Sequence, residues 1–300
     1  MTGTDTDTNT GTTLVIGATG TTGSRTVARL TAAGHRVKAA SRTPQNTPLT
    51  SQTTNTPTPT SPTSPTPVPF DWYTPATHAA ALDGVDRVYL VPPVGDVDPA
   101  AVMLPFLRQA RTAGVRRAVL LSSSAVPKGG PAVGEVHQAL PELFEQWAVL
   151  RPSWFMQNFT GAHMHAASIR EEGALLTATG SGRVGFVDAG DIAAVAARAL
   201  TDEQAPNTDL VLTGPEALSY DDIAATVTEV TGRTVVHHPM SYERMRDRLA
   251  EVMPPEFAAL LAGLDRTIAE GSEDRVTDTV QRITGRPPRG FRALYENEHQ

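Results

Sequence analysis

Apolar residues recur along this chain in two rhythms. Short and nearly unbroken runs stand at Thr13-Leu14-Val15-Ile16, at Arg36 to Ala40, at 68–71, 86–91, Ala118-Val119-Leu120-Leu121 and 147–151. Between them lie longer stretches, at Thr22 to Ala33, 76–82, 99–113 and about 135–145, that are rich in Ala and spaced at helical intervals. Runs with no polar face predict strands buried on both sides, and regular alternation with helices predicts right-handed βαβ crossovers. The expected fold is α/β, a doubly wound parallel sheet of the Rossmann type.

The second half changes character. A strand is predicted at Val184-Gly185-Phe186-Val187, a helix from Asp188 to Leu200, a strand at Leu210-Val211-Leu212, a helix from Tyr220 to Thr231 closed by Gly232, and a helical tract over 241–271 around Pro254-Pro255. The expected organisation is a disordered leader over 1–11 and a Rossmann domain over 12–160, to which 184–212 return. A smaller, mostly helical C-terminal substrate-side lobe is expected from 161–183 and 213–300. Residues 43–69 interrupt the pattern, since 21 of these 27 positions are Thr, Pro or Ser and none is charged. Repeated proline blocks both helix and ladder, so a disordered insertion is expected there.

Composition narrows the chemistry. There is no cysteine, which excludes a thiol nucleophile, a disulfide framework and a thiolate metal site. The net charge of −7 argues against nucleic acid as a partner, because phosphate neutralisation calls for a basic face. No apolar run reaches the roughly 20 residues of a membrane span, and the N-terminus lacks the basic-then-apolar order of a signal peptide. These features predict a cytoplasmic protein with a small-molecule partner, a monomer or homodimer that uses neither nucleic acid nor membrane.

Between the first strand and the first helix lies Gly17-Ala18-Thr19-Gly20-Thr21-Thr22-Gly23. Glycines in that place let backbone N–H groups approach a pyrophosphate at a helix N-terminus. The end of the second strand, where an NAD site would carry an acid for the ribose 2′-hydroxyl, reads Ala40-Ser41-Arg42. A guanidinium fork beside a hydroxyl suits a 2′-phosphate, so NADPH (NADP+) is the expected cofactor.

Four further segments, Phe70-Asp71-Trp72, Val91-Pro92-Pro93, Arg151-Pro152-Ser153-Trp154-Phe155-Met156-Gln157-Asn158-Phe159 and Asp188 to Ala193, complete a pattern that resembles the NmrA-like atypical short-chain dehydrogenase/reductases. Within them the chain is most similar to the ergot-alkaloid reductase group, of the festuclavine synthase and agroclavine dehydrogenase kind. The resemblance implies that Asp71 and Trp72 lie near the adenine and that Val91, Pro92 and Pro93 line the nucleotide groove. It also implies that Ser122 and Ser123 sit close to the nicotinamide, with Pro152 to Phe155 walling its carboxamide. Trp154, Phe155, Met156 and Phe159 are the expected substrate pocket, although residues of this type also build ordinary cores.

Carbonyl-reducing members of the wider superfamily deliver a proton through a Tyr-x-x-x-Lys pair. The two lysines here, Lys38 and Lys128, have Gly34 and Ser124 four positions before them, so the pair does not occur. His137, on the helix after the serines and with an ordinary imidazole pKa of about 6.5, is the remaining candidate donor, together with Ser123; a helix cap or a ribose contact is the alternative for His137. His163 with His165, and His237 with His238, lack a convergent carboxylate, and no metal site is expected. Without a positioned acid about 10²–10⁴-fold in rate is forgone when a proton must move. An iminium carbon escapes that penalty, and a quinone or enone can take its proton from water. The missing pair points the same way as the resemblance, and together they imply an NADPH-dependent reductase of an imine, iminium, enone or quinone of secondary-metabolite kind; a non-catalytic NADP-sensing regulator and a lyase or isomerase on the same fold are the alternatives.

Overall fold

The computed structural model describes residues 11–44 and 64–299; the expected leader, apart from Gly11, and most of the expected insertion lie outside them. The chain divides into two compact units. The first comprises 1–122, 128–149 and 196–209, and the second 123–127, 150–195 and 210–300. The boundary thus falls earlier than the expected residue 160, and only 196–209 of the expected return belong to the first unit. The cause is the Trp154–Phe159 segment, whose apolar side chains join the core of the second unit.

The first unit holds β1 (Thr12–Ile16), α1 (Thr21–Ala32), β2 (Arg36–Ser41), β3 (Thr66–Pro69), α2 (His78–Leu82), β4 (Arg87–Leu90), α3 (Ala100–Thr112), β5 (Arg117–Leu121) and α4 (Gly134–Leu143). A strand β6 (Gln146–Pro152), a helix α6 (Ala189–Thr201) and a strand β9 (Thr208–Leu212) run from one unit into the other, and the sheet order is β3-β2-β1-β4-β5-β6-β9. The ladders β3–β2, β2–β1, β1–β4 and β4–β5 are all parallel. The order reverses direction at β1, which puts the carboxyl ends of β1 and β4 at a topological switch point. Leu14, Val15, Val88, Tyr89, Leu90, Ala118, Val119 and Leu120 are wholly buried, as the unbroken apolar runs require. Arg117, buried at the start of β5, donates to the carbonyls of Leu200, Asp202 and Glu203 at 3.0, 2.6 and 3.2 Å, satisfying acceptors that the end of α6 leaves open.

One expectation is corrected here. The expected disorder does not extend to residue 69, because Thr66–Pro69 pairs with Lys38–Ser41 as the edge strand β3. Proline is tolerated where one side of a strand has no ladder to supply.

The second unit contains α5 (Met164–Glu172), β7 (Ala174–Thr177), β8 (Arg183–Val184), β10 (Leu218–Ser219), α7 (Tyr220–Thr231), β11 (Val236–Pro239), α8 (Tyr242–Ala250), α9 (Pro255–Ala269), α10 (Thr279–Thr284) and α11 (Phe291–Glu298). It is mostly helical as expected, with two small ladders added, β11 parallel to β7 and β10 antiparallel to β8. The predicted strand at 184–187 shrinks to β8 and an isolated bridge between Phe155 and Val187. α7 begins with a reciprocal capping box between Ser219 and Asp222, worth on the order of 1 kcal/mol. Its core is aromatic: Phe159 meets Phe186 and Phe291 edge-to-face at 5.2 and 5.5 Å, and Phe186 meets Tyr220 at 5.6 Å.

Candidate active site

Within the first unit the expected nucleotide residues gather at the carboxyl ends of neighbouring strands. Gly17 follows β1 with a φ of +71°, a conformation that favours glycine, and Ala18 N–H binds the Ala40 carbonyl at 3.0 Å. A Cβ on Gly23 would stand 2.1 Å from the Gly17 carbonyl oxygen, so α1 can press onto the turn only without a side chain there. Gly20 is the N-cap of α1, no side chain among the described residues caps the helix, and no acid lies in its first turn. Thr19 and Thr21 are exposed beside it, while Thr22 is buried and accepts the Tyr89 hydroxyl at 3.2 Å. Free N–H groups, an uncompensated positive dipole end and a cradle without Cβ atoms fit a pyrophosphate.

The flanking groups agree. Ser41 Oγ at the end of β2 and Ser122 Oγ just after β5 are buried and have no partner among the described residues, a condition that a ligand hydroxyl or phosphate would relieve. Arg42 is exposed and pairs with no acid among the described residues. The Asp71 carboxylate accepts the Tyr73 N–H at 3.1 Å. Trp72 is only 7% exposed and packs edge-on to Phe70 and Phe106 at 5.0 and 5.2 Å. Its indole N–H donates to the Val91 carbonyl at 3.1 Å, so it holds the Val91-Pro92-Pro93 segment in place. His137 lies on α4 and is 2% exposed.

In the second unit Ser123 Oγ accepts the Ala125 N–H at 3.3 Å, and the Ser124 N–H donates to the Pro152 carbonyl at 2.9 Å. Glu273, absent from the sequence expectations, is 2% exposed and accepts from Ser124 Oγ at 2.8 Å and Ser153 Oγ at 3.2 Å. It fastens these serine segments from a distant loop. Gln157 does the same for the aromatic run, donating to Asp188 at 2.8 Å and accepting the Ala189 N–H at 2.8 Å.

Of the expected pocket residues, Trp154 lines a cavity of about 90 Å³ with Asn158, His163, His165, Tyr220 and Asp265. Met156 and Phe159 do not line it: each is 1% exposed and belongs to the core. The tight 3-10 turn Met156–Phe159 turns these two side chains inward, and Phe155, half-buried, sits at the bridge to Val187. His163 and His165 stand close, with ring centroids 4.9 Å apart, because His163 is the N-cap of α5 and its Nδ1 accepts the His165 N–H. Burial holds the His163 pKa below its ordinary value and pushes that of His165 down to about 3. Burial also pushes the Asp265 carboxyl up to about 6, although the Ala178 N–H donates to it at 2.8 Å. Among the described residues no three His, Asp or Glu side chains converge as a metal site, and no helix is long and apolar enough to cross a membrane.

The comparisons agree with this geometry. Residues 17–203 match the family model described as NAD(P)H-binding. The oxidoreductase YesF of Bacillus subtilis is 43% identical over 93% of this chain and 92% of its own. Agroclavine dehydrogenase of Claviceps fusiformis is 40% identical over 74% of this chain and 80% of its own. The NADPH complex of the quinone oxidoreductase QOR2 from Escherichia coli superposes with a TM-score of 0.77 over 96% of this chain and 100% of that one, at 20% identity, a likeness of fold. A nucleotide cradle at the switch point, an aromatic run after the Arg-Pro that ends β6 and these relatives place the chain in the NmrA-like atypical short-chain dehydrogenase/reductases, as an NAD(P)H-dependent oxidoreductase.

Proposed function

We propose that this enzyme transfers hydride from NADPH to the C=N carbon of an imine or iminium, or to an enone or quinone, in secondary metabolism. The observation that carries the reading is the pairing of a dinucleotide cradle with the absence of any Tyr-x-x-x-Lys donor. Bound NADPH supplies the hydride. The turn from Gly17 to Gly23 holds its pyrophosphate, and Ser41 with Arg42 holds the 2′-phosphate. Asp71, Trp72 and Val91 to Pro93 shape the adenine side, and Ser122, Ser123 and Pro152 to Phe155 position the nicotinamide. An iminium acceptor needs nothing more: its π pair becomes the nitrogen lone pair and a neutral amine leaves. A quinone or enone becomes an anion that water protonates. The relative named as an agroclavine dehydrogenase supports a reductase of this kind, and the quinone oxidoreductase shares its fold.

The test is NADPH oxidation, followed by nicotinamide absorbance, against cyclic imines, N-methylated iminiums, quinones and simple ketones. Turnover of the first three groups with ketones at least a hundredfold slower is the expected outcome. Ketones reduced as fast as iminiums would reveal an undetected acid and overturn the reading.

A further inference from the structure

Resting on that reductase reading, we infer that Asp265 is the counter-ion of a cation-binding substrate pocket, so that the preferred acceptor is a positively charged, flat nitrogen heterocycle rather than a neutral quinone or enone.

The pocket belongs wholly to the second unit. Its walls are mostly aromatic or apolar: Trp154, His165, Tyr220, Met245 and Leu261 line it beside the neutral polar groups of Asn158 and His163, and Asp265 is its carboxylate. The Tyr220 ring is fixed against His165 at 5.6 Å and against Phe186 at 5.6 Å, so the wall is rigid. The two imidazoles bring no positive charge at neutral pH, since burial lowers both, and the Tyr220 hydroxyl is held neutral by burial. The site therefore offers one negative charge against ring faces, which is the arrangement that attracts a delocalised cation.

A second observation points the same way. A depression of about 280 Å³ shares Met164, His165 and Met245 with this cavity and adds Glu171, Glu172, Glu251 and a single base, Arg248. Among the described residues the charged groups that line the two hollows are four carboxylates and one guanidinium, an excess that attracts cations to this face. Asp265 itself is anchored by the Ala178 N–H at 2.8 Å, which leaves its orientation fixed when a ligand arrives.

Chemistry makes the claim specific. Hydride arrival removes the substrate's charge, so Asp265 stabilises the bound iminium more than the transition state that follows. Its loss should raise KM and leave kcat equal or higher. A proton donor at this position would do the opposite, lowering kcat.

The experiment uses the full chain saturated with NADP+ and, as probe, N,N-dimethyl-1,2,3,4-tetrahydroisoquinolinium, a permanent cation that cannot accept hydride. Calorimetry should show it binding at least tenfold more tightly than its neutral carbon isostere 2,2-dimethyltetralin, a comparison made on the wild-type protein alone. Asp265→Asn keeps an acceptor for Ala178 and should weaken the cation by about ten- to a hundredfold, at least tenfold more than it weakens the isostere. With NADPH and N-methyl-3,4-dihydroisoquinolinium the loss should fall on KM. No preference for the cation in the wild type, equal losses for both probes, or a collapse of kcat would each overturn the assignment. Cation binding that depends on Asp265 without any NADPH oxidation would refute the reductase reading and keep the pocket. Quinone turnover without cation preference would do the reverse.

Discussion

The glycine turn of the first unit and the Asp265 cavity of the second are built by opposite means. The turn uses backbone: Gly17 and Gly23 lie within seven consecutive residues and contribute the absence of side chains, so that N–H groups and the end of α1 face outward. The cavity uses side chains alone, drawn from Trp154 and Asn158 after β6, from α5 and its cap, from α7, from α8 and from α9. A backbone cradle suits a group that never varies, as a pyrophosphate does, and tolerates almost no change. A wall of side chains from distant elements can be altered residue by residue, which is how one nucleotide fold comes to serve many acceptors.

That contrast predicts where damage is greatest. Gly23→Ala places a Cβ 2.1 Å from the Gly17 carbonyl, and nothing soft is available to move. Overpacking of this kind costs on the order of 1–3 kcal/mol, and cofactor affinity should fall by more than about a hundredfold because the cradle itself is displaced. Gly34→Ala is the control, with a positive φ of 82° but no atom within 4 Å of the new Cβ. It should cost about 1 kcal/mol of stability and little affinity. Equal effects for the two, measured by calorimetry with NADPH, would show that the close approach of α1 is not what matters.

Arg42→Ala tests the same unit through a side chain. Charge-assisted contacts worth about 1.5–3 kcal/mol would be lost, so NADPH should weaken by roughly ten- to a hundredfold and NADH hardly at all. A matching loss for both nucleotides would remove Arg42 from the 2′-phosphate.

How much of this was legible follows from the same distinction. Gly17 to Gly23, Ser41 and Arg42 are read from spacing because strand, turn and helix are contiguous. The sheet is legible because β1, β4 and β5 are buried on both faces and carry no polar alternation. β3 was legible in part, as the apolar run at 68–71, while its start was obscured by two prolines in four residues, which an edge position makes acceptable. Met156 and Phe159 share an apolar run with Trp154, and only the 3-10 turn decides which ring faces the cavity. Asp265 and Glu273 gave no signal, since each is a single acid, one on α9 and one in a loop, whose partners, Ala178 for one and Ser124 with Ser153 for the other, are set by tertiary packing.

In the second unit a truncation should act on positioning rather than on nucleotide affinity. Trp154→Ala opens the wall and is expected to lower single-turnover hydride transfer by about ten- to a hundredfold at saturating NADPH. His137→Ala, in the first unit, should cost less than about tenfold, well below the 10²–10⁴ of a general acid. A thousandfold loss for His137→Ala with normal cofactor affinity would make this an acid-assisted reductase and reverse the ranking of the two residues.

The smallest expected effect is a gain. Burial lifts the Asp265 pKa from 3.8 to about 6, so the native state holds this proton more tightly than the unfolded chain does. Stability from this group is then full below about pH 4, is lost as pH rises through about 6, and stays lost at neutral pH. A shift of this size corresponds to at most about 3 kcal/mol, and partial access to water reduces the expectation to about 1 kcal/mol. Asp265→Asn keeps the acceptor for the Ala178 N–H and removes the charge, so it should raise the melting temperature at pH 8 by a few degrees and leave it unchanged or lower at pH 4. His163 and His165, whose pKa values burial lowers, destabilise both proteins alike as they acquire protons in acid, so the difference between variant and parent isolates Asp265. A difference that does not depend on pH would mean that the carboxyl is not strained by burial. The gain at pH 8, set beside the expected loss of cation affinity, would identify Asp265 as a charge kept for binding at the expense of stability.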